Sequence, residues 1–179
     1  MKRFMILAPF LSLMACANAE ISTPPVTVVP KDRAAAVGID VYGRARAAGN
    51  PVPRFRGQET VQIRTWGNGE KGSTELTGVP CLIDSGTYAA NFTTPANVIV
   101  PDYGPNSPAL FVRCETETQS GSITVNVYNA TNQQRQQSAA GAGVLGAIII
   151  GAVAAANTDN ETDDFKYPAL TVNLKKKKD

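Results

Sequence analysis

The most regular pattern in the sequence is found in Val79-Pro-Cys-Leu-Ile-Asp-Ser-Gly-Thr-Tyr-Ala-Ala-Asn-Phe-Thr-Thr-Pro-Ala-Asn-Val-Ile-Val-Pro101, and it continues to Val127. Short apolar runs alternate in it with polar residues, and each run ends at a cluster of Gly, Pro, Asn or Asp. Alternation with a period of two, interrupted by turn residues, is typical of consecutive short antiparallel strands. The stretch therefore predicts a domain built mainly from β-strands.

Two of these strands are predicted to form a hairpin. Residues 79–83 lead into Asp84-Ser-Gly86, whose residue types favour a tight turn. Tyr88 and Phe92 then share one face of the returning strand. The same alternation predicts further strands at residues 60–66, 98–100, 110–114, 122–128 and 165–174.

The N-terminus has the pattern of an export signal. Lys2 and Arg3 form a basic region, and residues 4–15 are apolar but too short to span a bilayer as a helix. Ala17-Asn-Ala19 fits the small-residue cleavage pattern, which places the cut before Glu20. We interpret residues 1–19 as a signal sequence, with a buried N-terminal helix as the alternative.

A second cleavage position competes with the first. Leu13-Met-Ala-Cys16 resembles a bacterial lipobox, in which cleavage makes Cys16 the lipidated first residue of the mature protein. Both interpretations place the mature chain in the cell envelope, as an outer-membrane-anchored lipoprotein or as a periplasmic protein.

Either cleavage leaves Cys81 and Cys114 as an even pair in an oxidising compartment, which favours a disulfide. The bond would close a loop of about thirty residues and stabilise the fold by roughly 3 kcal/mol. Two buried free thiols are the alternative. Two cysteines without histidine are too few ligands for a metal ion, so we expect neither metal nor cofactor.

Charge and composition exclude several functional classes. The sequence contains no histidine, which excludes Ser-His-Asp and Cys-His catalysis and histidine-based metal sites. It has 17 basic and 15 acidic residues, and loss of Lys2 and Arg3 with the signal leaves equal numbers. We therefore expect no nucleic-acid partner.

Composition divides the rest of the chain into segments. Residues 20–56 are a Pro- and Ala-rich extension, of which 20–30 read as an extended spacer. Within it, residues 32–48 carry signals for both a short helix and a strand, and both alternatives stay open. Residues 57–174 form the predicted β-domain, and residues 175–179 a basic tail that either is solvated or touches anionic lipid.

The apolar insert, residues 139–156, interrupts this domain before its last predicted strand. It is a run of small or apolar residues without a charge, and as a helix it would be roughly 27 Å long. Gly143, Ala147 and Gly151 lie four residues apart and would form a flat seam for close helix contact. Three interpretations of the insert stay open. It forms a membrane-spanning helix, a helix or hairpin that packs on the sheet or on a membrane surface, or a helix through which two copies associate.

A set of short motifs in a fixed order resembles a known group. The motifs are Val79-Pro-Cys81, Gly86-Thr-Tyr88, Thr93-Thr-Pro95-Ala-Asn-Val98, Ala109-Leu-Phe-Val-Arg-Cys114, the apolar insert, and Tyr167-Pro-Ala-Leu-Thr-Val172. Their order across residues 57–174 resembles proteobacterial envelope lipoproteins with a PEGA-like β-domain and a glycine-zipper-like insert. The resemblance implies a small antiparallel β-sandwich of PEGA or immunoglobulin type, with a Gly/Ala-rich helix or helical hairpin before the last strand. It also implies a non-enzymatic structural or binding role.

Two other functions have some support in the sequence. Leu82-Ile-Asp84-Ser-Gly-Thr87 matches the Asp-Ser-Gly-Thr turn of aspartic proteases, and one such turn per chain would require a homodimer. Trp66 and Tyr88 are expected to pack in the core or across strands, and they would serve a carbohydrate- or peptidoglycan-binding module only if they formed an exposed face. We predict no catalytic residue, and as partners membrane lipid through Cys16 or residues 139–156, a second copy of the chain, or cell-wall glycan.

Overall fold

Two large β-sheets share one hydrophobic core in a computed structural model that describes residues 18–69, 72–139 and 158–177. The first sheet contains β1 (Val26–Thr27), β3 (Gly57–Gly69), β4 (Gly72–Leu76), β7 (Ala96–Asp102) and β12 (Leu170–Asn173). The second contains β2 (Val29–Pro30), β5 (Val79–Asp84), β6 (Tyr88–Thr94), β8 (Leu110–Glu115), β9 (Gln119–Val125) and β13 (Lys175–Lys176). The prediction of a mainly β, sandwich-like fold is confirmed at this level.

The remaining elements are short. Strands β10 (Tyr128–Asn129) and β11 (Phe165–Lys166) pair with each other, and the helices are α1 (Gly43–Ala47), α2 (Ala130–Ala139) and a 3-10 turn at Gly104–Asn106.

Alternation along the central strands builds the core. Strand β3 buries Val61, Ile63 and Thr65, while β5 buries Val79, Cys81 and Ile83. Strands β5 and β6 form the predicted hairpin around Asp84-Ser-Gly86. Apolar side chains on every second residue thus point between the sheets.

The N-terminal segment closes one edge of the fold. Strand β1 pairs with β7 of the first sheet, and β2 pairs with β6 of the second. Val28 lies between them and is 2% exposed. The predicted spacer at residues 20–30 is therefore wrong from Val26 onward, because this segment crosses from one sheet to the other and fills the core at the corner. The β-domain begins well before residue 57.

The C-terminal segment closes the opposite edge in the same way. Strand β12 pairs with β3 in the first sheet, and β13 pairs with β9 in the second. Lys177 continues the pairing through a backbone hydrogen bond to Thr118. The predicted basic tail is corrected for residues 175–177, because their backbone groups complete the edge of a sheet and do not lie free in solvent.

The expectation of a purely antiparallel sandwich is also corrected. Strands β1 and β12 run parallel to their neighbours β7 and β3. Each joins its neighbour from a distant part of the chain, so no hairpin imposes an antiparallel direction.

Two predicted strands are divided. The strand at residues 165–174 is split into β11 and β12 around Pro168, which has no N–H to donate to a neighbouring strand. The strand at 122–128 ends as β9 at Val125, and Tyr128 pairs instead with Lys166 in β10–β11.

Residues 31–50 pack on the core without forming a long element. The Asp32 carboxylate accepts hydrogen bonds from the backbone N–H groups of Ala34 and Ala35, which caps a turn and not a helix. The single-turn helix α1 ends before Gly49, whose φ is +78°. The strand alternative survives only as an isolated bridge between Val37 and Asp40.

Candidate functional site at the base of the apolar insert

The two chain segments that flank the apolar insert are held together by one buried carboxylate. Asp163, 1% exposed, accepts hydrogen bonds from the side-chain amide of Asn129 at 2.7 Å and from the guanidinium of Arg135 at 2.9 Å. The backbone N–H of Asp159 adds a third at 3.0 Å. We call Asn129, Arg135, Asp159 and Asp163 the base cluster.

Backbone pairing reinforces the base cluster. Ala130 donates its N–H to the carbonyl of Asp164, next to the pairing of β10 with β11. The side chain of Asn129 also accepts a hydrogen bond from the N–H of Asn132, which makes it the N-cap of α2. Asn129 therefore fixes both the start of the helix and the loop that returns from the insert.

Arg56 ties the returning loop to the β-domain. Its guanidinium donates hydrogen bonds to the carbonyls of Asp163, at 2.8 Å, and Asn160, and it lies 6.0 Å from the ring of Phe165. Gly104 leaves the room that this side chain occupies, since a Cβ there would come within 2.4 Å of the guanidinium carbon. The base of the insert is therefore attached to the strand that begins at Gly57.

Hydrogen bonds favour the ionised form of the two carboxylates in the base cluster. The hydrogen bond from Asn129, supported by those from Asp159 and Arg135, holds the pKa of Asp163 below its ordinary value against the opposing effect of burial. Hydrogen bonds from Thr162 and Glu161 lower the pKa of Asp159 in the same way. A carboxylate with both oxygens hydrogen-bonded, as in Asp163, fixes the geometry of the groups around it.

A second buried polar group lies beside the returning strand. The backbone N–H of Tyr167 donates to Glu59, and the Tyr167 hydroxyl donates to the carbonyl of Pro108. Burial raises the pKa of Tyr167 to about 12. Tyr88 is fully buried nearby, and its hydroxyl has no hydrogen-bond partner within the described part of the chain.

The sequence residues assigned to membrane contact are not among those described. Cys16 and the seam of Gly143, Ala147 and Gly151 lie outside the described residues, as does the insert apart from Ala139. No helix within residues 18–69, 72–139 and 158–177 combines the length and apolar character that a membrane crossing requires.

The Asp-Ser-Gly-Thr turn forms a hairpin loop. Lys31 donates to both carboxylate oxygens of Asp84, at 2.7 and 2.8 Å, and the N–H of Gly86 donates to one of them. These bonds, that of Lys31 first, lower the pKa of Asp84. An aspartic protease needs an aspartate that shares a proton with a second one, and an ion-paired Asp84 favours the turn interpretation.

Trp66 and Tyr88 do not form a common exposed face. Tyr88 points into the core, whereas Trp66 is half-buried on the outer side of β3. Tyr88 packs in the core as expected, and the alternative of one exposed sugar-binding face made by both residues is wrong, because the two residues have opposite orientations relative to their sheets.

Cys81 and Cys114 form the predicted disulfide between directly paired residues of β5 and β8, with Cα atoms 4.1 Å apart. A shallow depression of about 920 Å³ lies over this part of the second sheet, bordered by Thr23, Leu82 and Arg113. Within the described residues, no group of three or more Cys, Asp and Glu side chains is arranged to hold a metal ion.

Comparison of the chain with protein-family models, with curated proteins and with solved structures finds no match. The similarity to PEGA-like lipoproteins therefore stays a prediction from motif order.

Sequence reasoning missed the base cluster. Asp163 is separated from Asn129 by 34 residues and from Arg135 by 28, so no local motif joins them. The one available signal was Asn129 directly before a run of helix-compatible residues, which is the pattern of an N-cap.

Proposed function

We propose that the chain is a non-enzymatic cell-envelope protein that contacts a membrane through the apolar insert and, where Cys16 is lipidated, through a lipid anchor. The observation that supports this most is the base cluster, which fixes both flanks of the insert at one end of the β-domain. The disulfide supports an oxidising compartment.

The base cluster argues against a membrane-spanning insert. Arg135 and Asp159 bind the same carboxylate, so the chain leaves and returns at one place. Residues 136–158 are far fewer than the roughly 40 that two helical crossings of a bilayer would need. A contact with the near face of the bilayer, or with a second copy, fits this length.

Helix α2 supports the same proposal. Apart from Arg135 its residues are uncharged, and they are mostly polar: Ala-Thr-Asn-Gln-Gln-Arg-Gln-Gln-Ser-Ala. A helix of this length carries the chain about 15 Å along its axis. The apolar insert thus begins at the C-terminal end of a polar helix.

Liposome flotation tests the role of the insert. The mature chain without its lipid should float with vesicles, and Ile148→Asp/Ile149→Asp should abolish this because two charges oppose burial in the bilayer. Ser122→Asp/Thr124→Asp adds the same charge on the exposed side of β9 and should float like the parent. Equal flotation of all three proteins, or none by the parent, would reject membrane contact through the insert.

Precursor processing tests the anchor separately. Globomycin should cause the precursor to accumulate, and Cys16→Ser should remove the lipid. Processing that is insensitive to both would show cleavage before Glu20 and a protein without an anchor.

A further inference from the structure

The outer side of the first sheet carries a flat, polar face along β3 and β12. Side chains at alternate positions of β3 point away from the core, and those of β12 lie beside them. We call the following residues the Trp66 face: Gln62, Arg64, Trp66, Asn68, Thr171 and Asn173. In register, Arg64 lies opposite Thr171, and Trp66 lies opposite Asn173.

Most hydrogen-bonding side chains of the face remain available to a ligand, whereas the side-chain oxygen of Gln62 already accepts a hydrogen bond from Arg64 at 3.4 Å. The side chains of Gln62, Asn68, Thr171 and Asn173 are exposed. The side-chain amides of Asn68 and Asn173 make no hydrogen bond to another residue in the described part of the chain. A primary amide offers both donors and an acceptor, which suits hydroxyl and acetamido groups.

The face is electrically neutral. The guanidinium of Arg64 forms an ion pair with Glu75, and both side chains of the pair are largely buried. Phosphate-binding surfaces instead present unpaired cations. This neutrality favours an uncharged polar ligand over nucleic acid or an anionic lipid headgroup.

Trp66 supplies an apolar plane within the polar array. It is the sole tryptophan of the chain, and it is half-buried on the outer side of the sheet. An indole ring joins a large apolar surface to one N–H donor, which matches a sugar ring with an apolar C–H side and a polar rim. Because Trp66 is paired with Asn173 on one side and with Glu75 on the other, its backbone is held in place before any ligand binds.

We propose that the Trp66 face binds a neutral glycan chain that carries hydroxyl and acetamido groups, as cell-wall polysaccharides do. The proposal goes beyond membrane contact and does not depend on it, since the face lies on β3 and β12 and the membrane contact is assigned to residues 139–156. A protein that met the membrane with its insert and a glycan with this face would link the two.

Chitotetraose is the soluble probe, and the emission of the single tryptophan reports on its binding. We expect a saturable change in intensity with a shift to shorter wavelength as the ring loses water. Gln62→Ala/Asn173→Ala keeps Trp66 as the reporter and should weaken binding about tenfold, since two hydrogen-bonding side chains are lost. Ser122→Ala/Thr124→Ala, on the exposed side of the second sheet, is the matched control and should bind like the parent.

A second measurement covers ligands longer than the probe. The parent protein should sediment with insoluble peptidoglycan, and Gln62→Ala/Asn173→Ala and Trp66→Ala should remain in the supernatant while circular dichroism shows a retained fold. Failure of chitotetraose and peptidoglycan alike, or equal binding by the parent and the face variants, overturns the proposal. If the parent sediments with anionic vesicles and the face variants do not, the face binds lipid, and this result also overturns the proposal.

Discussion

The backbone N–H of Tyr167 donates a hydrogen bond of 2.7 Å to a carboxylate oxygen of Glu59. Glu59 precedes the apolar insert in the sequence, and Tyr167 follows it. Burial raises the pKa of Glu59 to about 7, and the carboxylates of Asp102 and Asp164 add to this. The hydrogen bond from Tyr167 and the charge of Lys166 lower the pKa of Glu59, but the effect of burial is larger. The returning strand is thus attached to a carboxyl group that titrates near neutral pH.

This pKa predicts that stability decreases as the pH rises. The folded-state pKa lies above the ordinary value of 4.5, so the folded protein binds a proton that the unfolded chain releases. The contribution of Glu59 is complete below pH 4.5 and is lost as the pH passes through about 7. Urea unfolding between these limits should therefore show a falling midpoint.

Glu59→Gln isolates this contribution. An amide oxygen still accepts the bond from Tyr167 but carries no charge, so the variant should be more stable than the parent at pH 8 and should lose part of the pH dependence. Glu117→Gln, at an exposed position between β8 and β9, is the control. Parallel pH profiles for the parent and Glu59→Gln would contradict a titrating Glu59.

Val28 and its neighbour Val29 test whether the N-terminal segment is part of the fold. Val28 is 2% exposed and Val29 is 44% exposed. Val28→Ala should lower the free energy of unfolding by about 2 kcal/mol through lost burial and a cavity, while Val29→Ala should have little effect. Equal urea midpoints for the two variants would restore the spacer interpretation.

Local patterns explain why part of the fold was predictable. In β3 and β5 the buried residues alternate strictly, and Asp84-Ser-Gly86 supplies turn chemistry between β5 and β6. Hairpin partners are adjacent in sequence, so alternation and a turn suffice to specify them.

The corners and the base of the insert carried no comparable signal. Residues 26–30 are too few, and lie too close to prolines, to show an alternating pattern of apolar and polar residues. Their strand partners include Ala89 and Val98, which lie about 60 or more residues away in the sequence. Asp163 likewise finds its partners across the insert. Contacts between residues so far apart in sequence depend on tertiary packing, which cannot be predicted from residue propensity or from periodicity.

Gly121 permits the C-terminal corner. A Cβ at this position of β9 would lie 2.3 Å from the carbonyl oxygen of Asn173, which is backbone and cannot rotate away. Gly121→Ala should therefore displace the segment between β12 and β13 and lower the free energy of unfolding by about 1–3 kcal/mol. Ser122→Ala, one residue further on and exposed, should leave the urea midpoint unchanged. A midpoint for Gly121→Ala equal to that of the parent would show that the corner adapts.

The disulfide should stabilise the fold mainly through the unfolded chain. It joins Cys81 and Cys114, which are 33 residues apart in sequence and already paired across β5 and β8. Removing it in Cys81→Ala/Cys114→Ala leaves the strand hydrogen bonds intact but frees the unfolded chain, so we expect a loss of about 3 kcal/mol in urea unfolding with unchanged circular dichroism. Reductant should shift the parent towards the midpoint of the variant and leave the variant itself unaffected. If the double variant unfolds at the same urea concentration as the oxidised parent, loop closure by this bond contributes nothing, and the argument for an oxidising compartment loses its energetic basis.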